Sequence, residues 1–266
     1  MLVVAERLNC TRKRIKAAVV DRDADLIQGE ARRQVEAGAD TIDVNSATGV
    51  DTELDDMKWM IEQVRAVTDK PISVDTTHAE AMRAGLELHG PGQAMLNSVT
   101  GERDRLAAMM PLAAEFQTRV VALAMDDSGM PETIDARLKA VETIVAEADR
   151  VGVKRENLYI DPLIRPVSTN PTHPSDCLET VRRIKAEFAP LKTIGGLSNV
   201  SFGLPKRNLL NRVFVAYMVY AGIDAGIIDP LEPGVMATIL AAEALLARDE
   251  FCMRYITAER DGRLDR

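Results

Sequence analysis

Several residue types are scarce in this sequence, and each scarcity removes a class of function. Cysteine occurs three times, as Cys10, Cys177 and Cys252. The number is odd and the spacing wide, with no Cys-x-x-Cys pair and no histidine cluster nearby. That pattern indicates neither a disulfide framework nor a structural zinc, and a reducing cytoplasm is the expected compartment. Histidine is equally rare, at His78, His89 and His173. Cations are outnumbered, with 33 Lys and Arg against 41 Asp and Glu, a net charge of −8 and a pI near 5.1. Such a surface repels a phosphate backbone or an anionic membrane. The densest basic cluster, Arg12, Lys13, Arg14 and Lys16, is followed at once by Asp21, Asp23 and Asp25, and it reads as a solvated face. No stretch approaches the ~18 apolar residues of a membrane span, and the opening Met-Leu-Val-Val-Ala-Glu-Arg is too short and wrongly flanked for a signal peptide.

What is present is a regular alternation. The chain has 266 residues, 46% hydrophobic and 28% charged, which is enough apolar material for a sizeable core. Short apolar runs alternate with longer segments of helical period from one end to the other, the pattern of βα units in a parallel sheet. Strands are predicted at Leu2 to Glu6, Thr41 to Asn45, Ile72 to Asp75, Ala94 to Asn97, Val120 to Met125, Leu158 to Asp161, Thr193 to Gly196 and Ala225 to Asp229. Helices are predicted near 22–37, 52–67, 79–88, 102–116, 134–152, 175–187, 206–221 and 233–247. In the last of these Val235, Ile239, Ala242 and Leu246 form one stripe with Glu243 to its side. With no Pro/Gly/Ser-rich linker, residues 1–266 are expected to form one α/β domain, and eight uninterrupted repeats favour a closed (β/α)8 barrel over an open sheet with edges to protect.

Chemistry in such barrels gathers at the C-terminal ends of the strands. Here those ends carry Glu6 with Asn9, Asp43 with Asn45, Asp75, Asn97, Asp126, Asp161, Ser198 with Asn199, and Asp229. Helix capping accounts for any one of them. It does not account for acids and amides on nearly every strand with hardly a base among them. A ring of this kind suits a flat, neutral heterocycle rich in N–H donors, because a carboxylate accepts two parallel hydrogen bonds and an amide offers one donor and one acceptor. Phosphate ligands are poorly served, since neither phosphate-binding glycine motif occurs and Gly195-Gly196 reads only as a close backbone approach or a turn.

Six strand ends make the pattern specific: Ala5-Glu6-Arg7-Leu8-Asn9, Thr41-Ile42-Asp43-Val44-Asn45, Ser73-Val74-Asp75-Thr76-Thr77, Met95-Leu96-Asn97-Ser98, Tyr159-Ile160-Asp161-Pro162-Leu163 and Gly196-Leu197-Ser198-Asn199-Val200-Ser201. In order and spacing they resemble the pterin-binding methyltransferases, which move a methyl group between N5 of tetrahydrofolate and the cobalt of a corrinoid protein. The resemblance implies a TIM barrel of the dihydropteroate synthase-like type. It also implies that Asp75, Asn97 and Asp161 grip the pterin edge, that Asn199 is a mobile amide at N5, and that Gly196, Ser198 and Arg207 complete the wall and rim. No residue near N5 is an obvious acid: His89 falls in a turn, His173 in a Pro-flanked loop, and His78 opens a helix as a surface residue, so the proton is expected to travel through water. No metal-ligand set or cobalamin-binding segment occurs, so the corrinoid is expected to arrive on a partner protein, and a homodimer is the family expectation. Dihydropteroate synthase is the nearest alternative, but its Ser-Arg-Lys motif is replaced by Ser198-Asn199-Val200, which leaves a pyrophosphate poorly neutralised. A non-catalytic pterin-binding barrel is the third reading.

Overall fold

The computed structural model describes residues 1–49, 51–90 and 92–264. Eight parallel strands follow one another in space as they do in sequence: β1 (Leu2–Asn9), β2 (Thr41–Asn45), β3 (Ile72–Asp75), β4 (Met95–Gly101), β5 (Arg119–Asp126), β6 (Leu158–Asp161), β7 (Lys192–Thr193) and β8 (Ala225–Ile228). β8 pairs with β1. The last seam closes because Asp224 N donates to Thr193 O at 3.1 Å, Ile227 N donates to Gly195 O at 2.9 Å, and Gly196 bridges Ile227 in parallel. Among the described residues the sheet is therefore a closed barrel, as the repeat count predicts.

Helices α1 (Lys13–Val20), α2 (Ala24–Glu36), α3 (Glu53–Arg65), α4 (Ala79–Leu88), α5 (Arg103–Glu115), α6 (Ile134–Val151), α7 (His173–Glu187), α8 (Arg207–Ala221), α9 (Val235–Leu245) and α10 (Met253–Arg260) surround it. Two of these, α1 and α10, are absent from the expectation. Each has only eight residues, too short for its apolar spacing to stand out among its charges. None of the described helices is long and apolar enough to cross a membrane. On α9 Val235, Ile239 and Ala242 are buried as the stripe predicts, but Glu243 is buried too, paired with the Met1 amino group and with Arg254. His173 is likewise no loop residue: it opens α7, is buried, and has its Nδ1 3.0 Å from Pro166 O. His89 closes α4, between Leu86 O and Gly92 O. His78 caps the start of α4 with its ring nitrogen and stays exposed.

The strand alternation decides what fills the barrel. Ile42, Val44, Ile72, Val74 and Leu96 belong to the core shared with the helices, which turns Asp43, Asn45, Ser73, Asp75 and Asn97 inward. The lower interior is plugged by Val4, Met95, Val121, Tyr159, Ile194 and Ala225. Above that plug the register sets Asn9 beside Asn45, Asn45 beside Asp75 and Asp75 beside Asn97, a polar row across four strands. One extra residue on β1 between Ala5 and Leu8 keeps both of these packed outward while Glu6 turns inward.

Candidate functional site

The cavity above the plug occupies about 500 Å³ and is lined by Glu6, Asn9, Asp43, Asp75, Asn97 and Asp161 on the strands and by Gly196, Ser198, Asn199, Phe202 and Arg207 after β7. All seven residues that the sequence singles out, Asp75, Asn97, Asp161, Gly196, Ser198, Asn199 and Arg207, therefore lie on one surface. Its size suits a single small organic ligand.

Amides hold the carboxylates in place. Asn45 Nδ2 donates to Asp75 Oδ2 at 3.1 Å and Asn97 Nδ2 to Asp43 Oδ1 at 3.1 Å. Asp161 Oδ1 accepts the Leu163 amide at 2.7 Å. Burial disfavours every one of these charges. It pushes Asp161 up to about 6, even with backbone N–H groups of Leu163, Gly196 and Ile164 donating to it. Burial also raises Asp43 and Asp75, and Asp75 rises further because the Asp43 charge lies beside it. The floor thus holds carboxylates whose charge burial disfavours, and a ligand edge bearing N–H groups would stabilise that charge.

The chain after β7 is built around close approach. A Cβ on Gly195 would stand 2.6 Å from Ile164 Cδ1, and one on Gly196 would stand 3.0 Å from Asn199 Nδ2. The missing side chain at Gly196 is what leaves room for the Asn199 amide. The strand ends at Thr193, short of the predicted Gly196, because the chain then turns into a 3-10 segment, Leu197–Ser201. Arg207 fastens this segment, donating from Nη2 to Ser198 O at 2.9 Å and from Nε to Ser201 Oγ at 3.0 Å, while its guanidinium lies 4.5 Å from the centre of the Phe202 ring. It is a clamp rather than a solvated helix residue.

Three members of the predicted ring do not line the cavity. Asp126 accepts Ser128 N at 2.9 Å and Oγ at 2.6 Å, which is local turn chemistry. Asn45 acts through Asp75. Asp229 faces cations, with Arg7 Nη1 at 2.7 Å and Arg12 Nη2 at 3.5 Å. Arg12 is a correction: Lys13, Arg14 and Lys16 are exposed as a solvated face requires, but Arg12 lines the cavity with Nη2 3.6 Å from Glu6 Oε1. Phe202, Thr11 and Ile227 are the other lining residues that sequence reasoning missed. Arg12 and Thr11 carried a signal, their place three and two residues after Asn9. Phe202 and Ile227 carried none.

A closed barrel with an acid-and-amide cavity of this size at its strand ends places the chain among (β/α)8 proteins that take a small ligand at the barrel mouth. The model of the pterin binding enzymes matches residues 5–229, and the chain belongs to that family. It is 31% identical over 99% of its length to a methylcorrinoid:tetrahydrofolate methyltransferase from Eubacterium limosum, covering 98% of that protein. It is 30% identical, over 86% of its length, to the methionine synthase of Mycobacterium leprae, and spans only 20% of that larger protein. Among solved structures, the 7,8-dihydropteroate synthase of Vibrio fischeri ES114 superposes with a TM-score of 0.73 at 18% identity, covering 93% of each chain. A dihydropteroate synthase of Yersinia pestis gives 0.71 at 17%, again with 93% of each chain covered. These two likenesses concern the fold. Among the described residues no group of three or more His, Cys, Asp or Glu side chains has the geometry of a metal site.

Proposed function

We infer that this chain is a methyltransferase that moves a methyl group between a corrinoid protein and N5 of tetrahydrofolate. The observation that carries the reading is convergence: in a chain alike over its whole length to a methylcorrinoid:tetrahydrofolate methyltransferase, residues of all six strand-end motifs meet at one cavity. Residues 1–266 serve as a single pterin-binding barrel domain. Asp75, Asn97 and Asp161 accept and donate along the pyrimidine edge of the pterin, and Asn199 hydrogen-bonds N5 as charge changes there. Gly196 makes room for that amide, Ser198 continues the wall, and Arg207 holds the segment that carries both. Methyl transfer at N5 requires positioning and a hydrogen bond that strengthens in the transition state, contributions that preorganised donors supply.

The corrinoid is the second substrate and comes on a partner protein docked over the open mouth. A second copy of the chain is the other partner, and the exposed apolar residues Leu209, Val213, Tyr217 and Tyr220, three and four apart along α8, support that assignment. Tyr217→Arg should then sediment as a monomer where the unmodified chain sediments as a dimer. The three cysteines are unpaired, which fits a cytoplasmic location. Dihydropteroate synthesis is disfavoured by the neutral Asn199 and the buried Val200 after Ser198.

The experiment is spectroscopic. Mixing the protein with methylcobalamin and tetrahydrofolate should convert the methylcobalamin spectrum to that of cob(I)alamin, or of cob(II)alamin where oxygen is admitted. A methylcobalamin spectrum that stays unchanged with saturating protein and tetrahydrofolate contradicts the reading.

A further inference from the structure

Tetrahydrofolate carries a proton on N5 that its methylated form does not. When a methyl group passes from a methylcorrinoid to tetrahydrofolate, the N5 lone pair forms the N–C bond. The C–Co bond breaks with its electron pair going to cobalt, which passes from Co(III) to Co(I), and N5 releases one proton. That proton needs an acceptor inside the cavity. Asn199 cannot serve, because a neutral amide is not a base at ordinary pH. Asp75 and Asp161 are committed to the pyrimidine edge in the reading above.

Glu6 is a carboxylate that the reading leaves without a task. It lines the same cavity as Asn199. Alternation after the outward-packed Ala5 turns it inward, and the extra residue that follows returns Leu8 to the outer core. Ser198, the residue next to Asn199, donates its hydroxyl to Glu6 Oε1 at 3.3 Å. The direction of that bond is the one a relay requires, since the hydroxyl can pass its own proton to Glu6 while taking another from its cavity side. Other charged groups surround Glu6 from each neighbouring element. Arg12, after β1, stands 3.6 Å away and half-exposed, a route to solvent. Asp229 and Glu232, after β8, are negative and raise the proton affinity of the group, while the Arg12 charge and the Ser198 hydroxyl lower it; Asp43 on β2 is raised in turn by the Glu6 charge, and Arg7 offsets Asp229 through an ion pair at 2.7 Å. Burial is the largest influence, and together with these charges it brings Glu6 up to about 7. A base poised near the working pH both accepts the proton and gives it up again.

We propose that Glu6 is the acceptor of the N5 proton in methyl transfer to tetrahydrofolate, receiving it through the Ser198 hydroxyl and releasing it to solvent past Arg12. In the opposite direction the same carboxyl is the donor.

The proposal rests on the methyl-transfer reading, and the experiment separates the two. Single-turnover consumption of methylcobalamin by the protein with bound tetrahydrofolate is followed from pH 5.5 to 8.5 for the unmodified chain, Glu6→Gln and Ser198→Ala, with tetrahydrofolate affinity measured by calorimetry on each. The unmodified protein should gain rate with pH through a midpoint of about 7. Glu6→Gln should lose that pH dependence and be slower by about a hundredfold at pH 8, the range of one general base, while its affinity for tetrahydrofolate changes far less than its rate. Ser198→Ala should be slowed while keeping the midpoint, because the acceptor remains and only its relay is gone. A Glu6→Gln protein that keeps the midpoint, or reacts at close to the unmodified rate, overturns the role of Glu6 and leaves methyl transfer standing. An unmodified protein that binds tetrahydrofolate but consumes no methylcobalamin overturns both. Calorimetry also exposes misfolding, because a Glu6→Gln protein that has lost its structure binds no tetrahydrofolate.

Discussion

Asp161 provides the sharpest quantitative expectation, because its environment penalises the form that the ligand needs. Burial pushes the carboxyl up to about 6 in the empty protein. A pterin that donates N–H groups to it favours the ionised form, so below pH 6 a proton must leave before binding. The apparent affinity then weakens by the factor one plus ten to the power of 6 minus pH, which is negligible at pH 7.5 and roughly elevenfold at pH 5. Asp161→Asn removes both the titration and the charge-assisted contact, at a cost of about 1.5 to 3 kcal/mol. At pH 7.5 the variant should therefore bind tetrahydrofolate about 10 to 150 times more weakly than the unmodified protein. By pH 5 that gap should shrink roughly tenfold, since only the unmodified chain continues to lose affinity. Protonation of the ligand is common to both proteins and cancels in their ratio. For the empty protein the sign is opposite. A carboxyl raised above its unfolded value contributes full stability below about pH 4, and that contribution is lost as pH rises through about 6, so Asp161→Asn should flatten the fall in melting temperature across that interval. Calorimetric titration of both proteins at four pH values provides the assay. A gap that stays constant from pH 7.5 to pH 5 would refute the argument, because it would mean that the carboxyl does not change protonation on binding.

Three further expectations concern the segment after β7 and the metal question. Asn199→Ala should lower the single-turnover rate by roughly tenfold to a thousandfold, the effect of one preorganised donor, while tetrahydrofolate affinity falls much less than in Asp161→Asn; equal losses of rate and affinity in stopped-flow and calorimetry would make Asn199 a simple anchor. Gly196→Ala places a methyl group 3.0 Å from Asn199 Nδ2, so it should reproduce most of the rate loss of Asn199→Ala with little change in melting temperature, and a normal rate would show that the amide does not need that space. Exhaustive chelation, with the corrinoid supplied afterwards, should leave turnover intact, and recovery that depends on added metal would reveal a metal site in the protein.

How much of this was legible in the amino-acid order follows from which interactions are local. The eight strands and the helices between them were readable because their periodicity is repeated inside each segment, and nearly all the cavity acids and amides could be named because they end those strands. Asp126 and Asp229 share that signature and still fall outside the cavity, since a strand end says where a side chain starts but not whether a turn or an arginine claims it. Arg12 looked like the start of a solvated run and lies in the wall because it follows β1 directly into the mouth. The sequence by itself determined the number of βα units, the chemistry available at the mouth, and the absence of any paired-cysteine pattern. Tertiary structure alone decided which acids face one another, and therefore which of them hold a proton near neutrality. Proton affinity in a cavity depends on burial and on neighbours brought together across the barrel: Ser198 and Glu6 are 192 positions apart in the chain and 3.3 Å apart in space, a relation set by β8, which joins β1 on one side and the chain after β7 on the other.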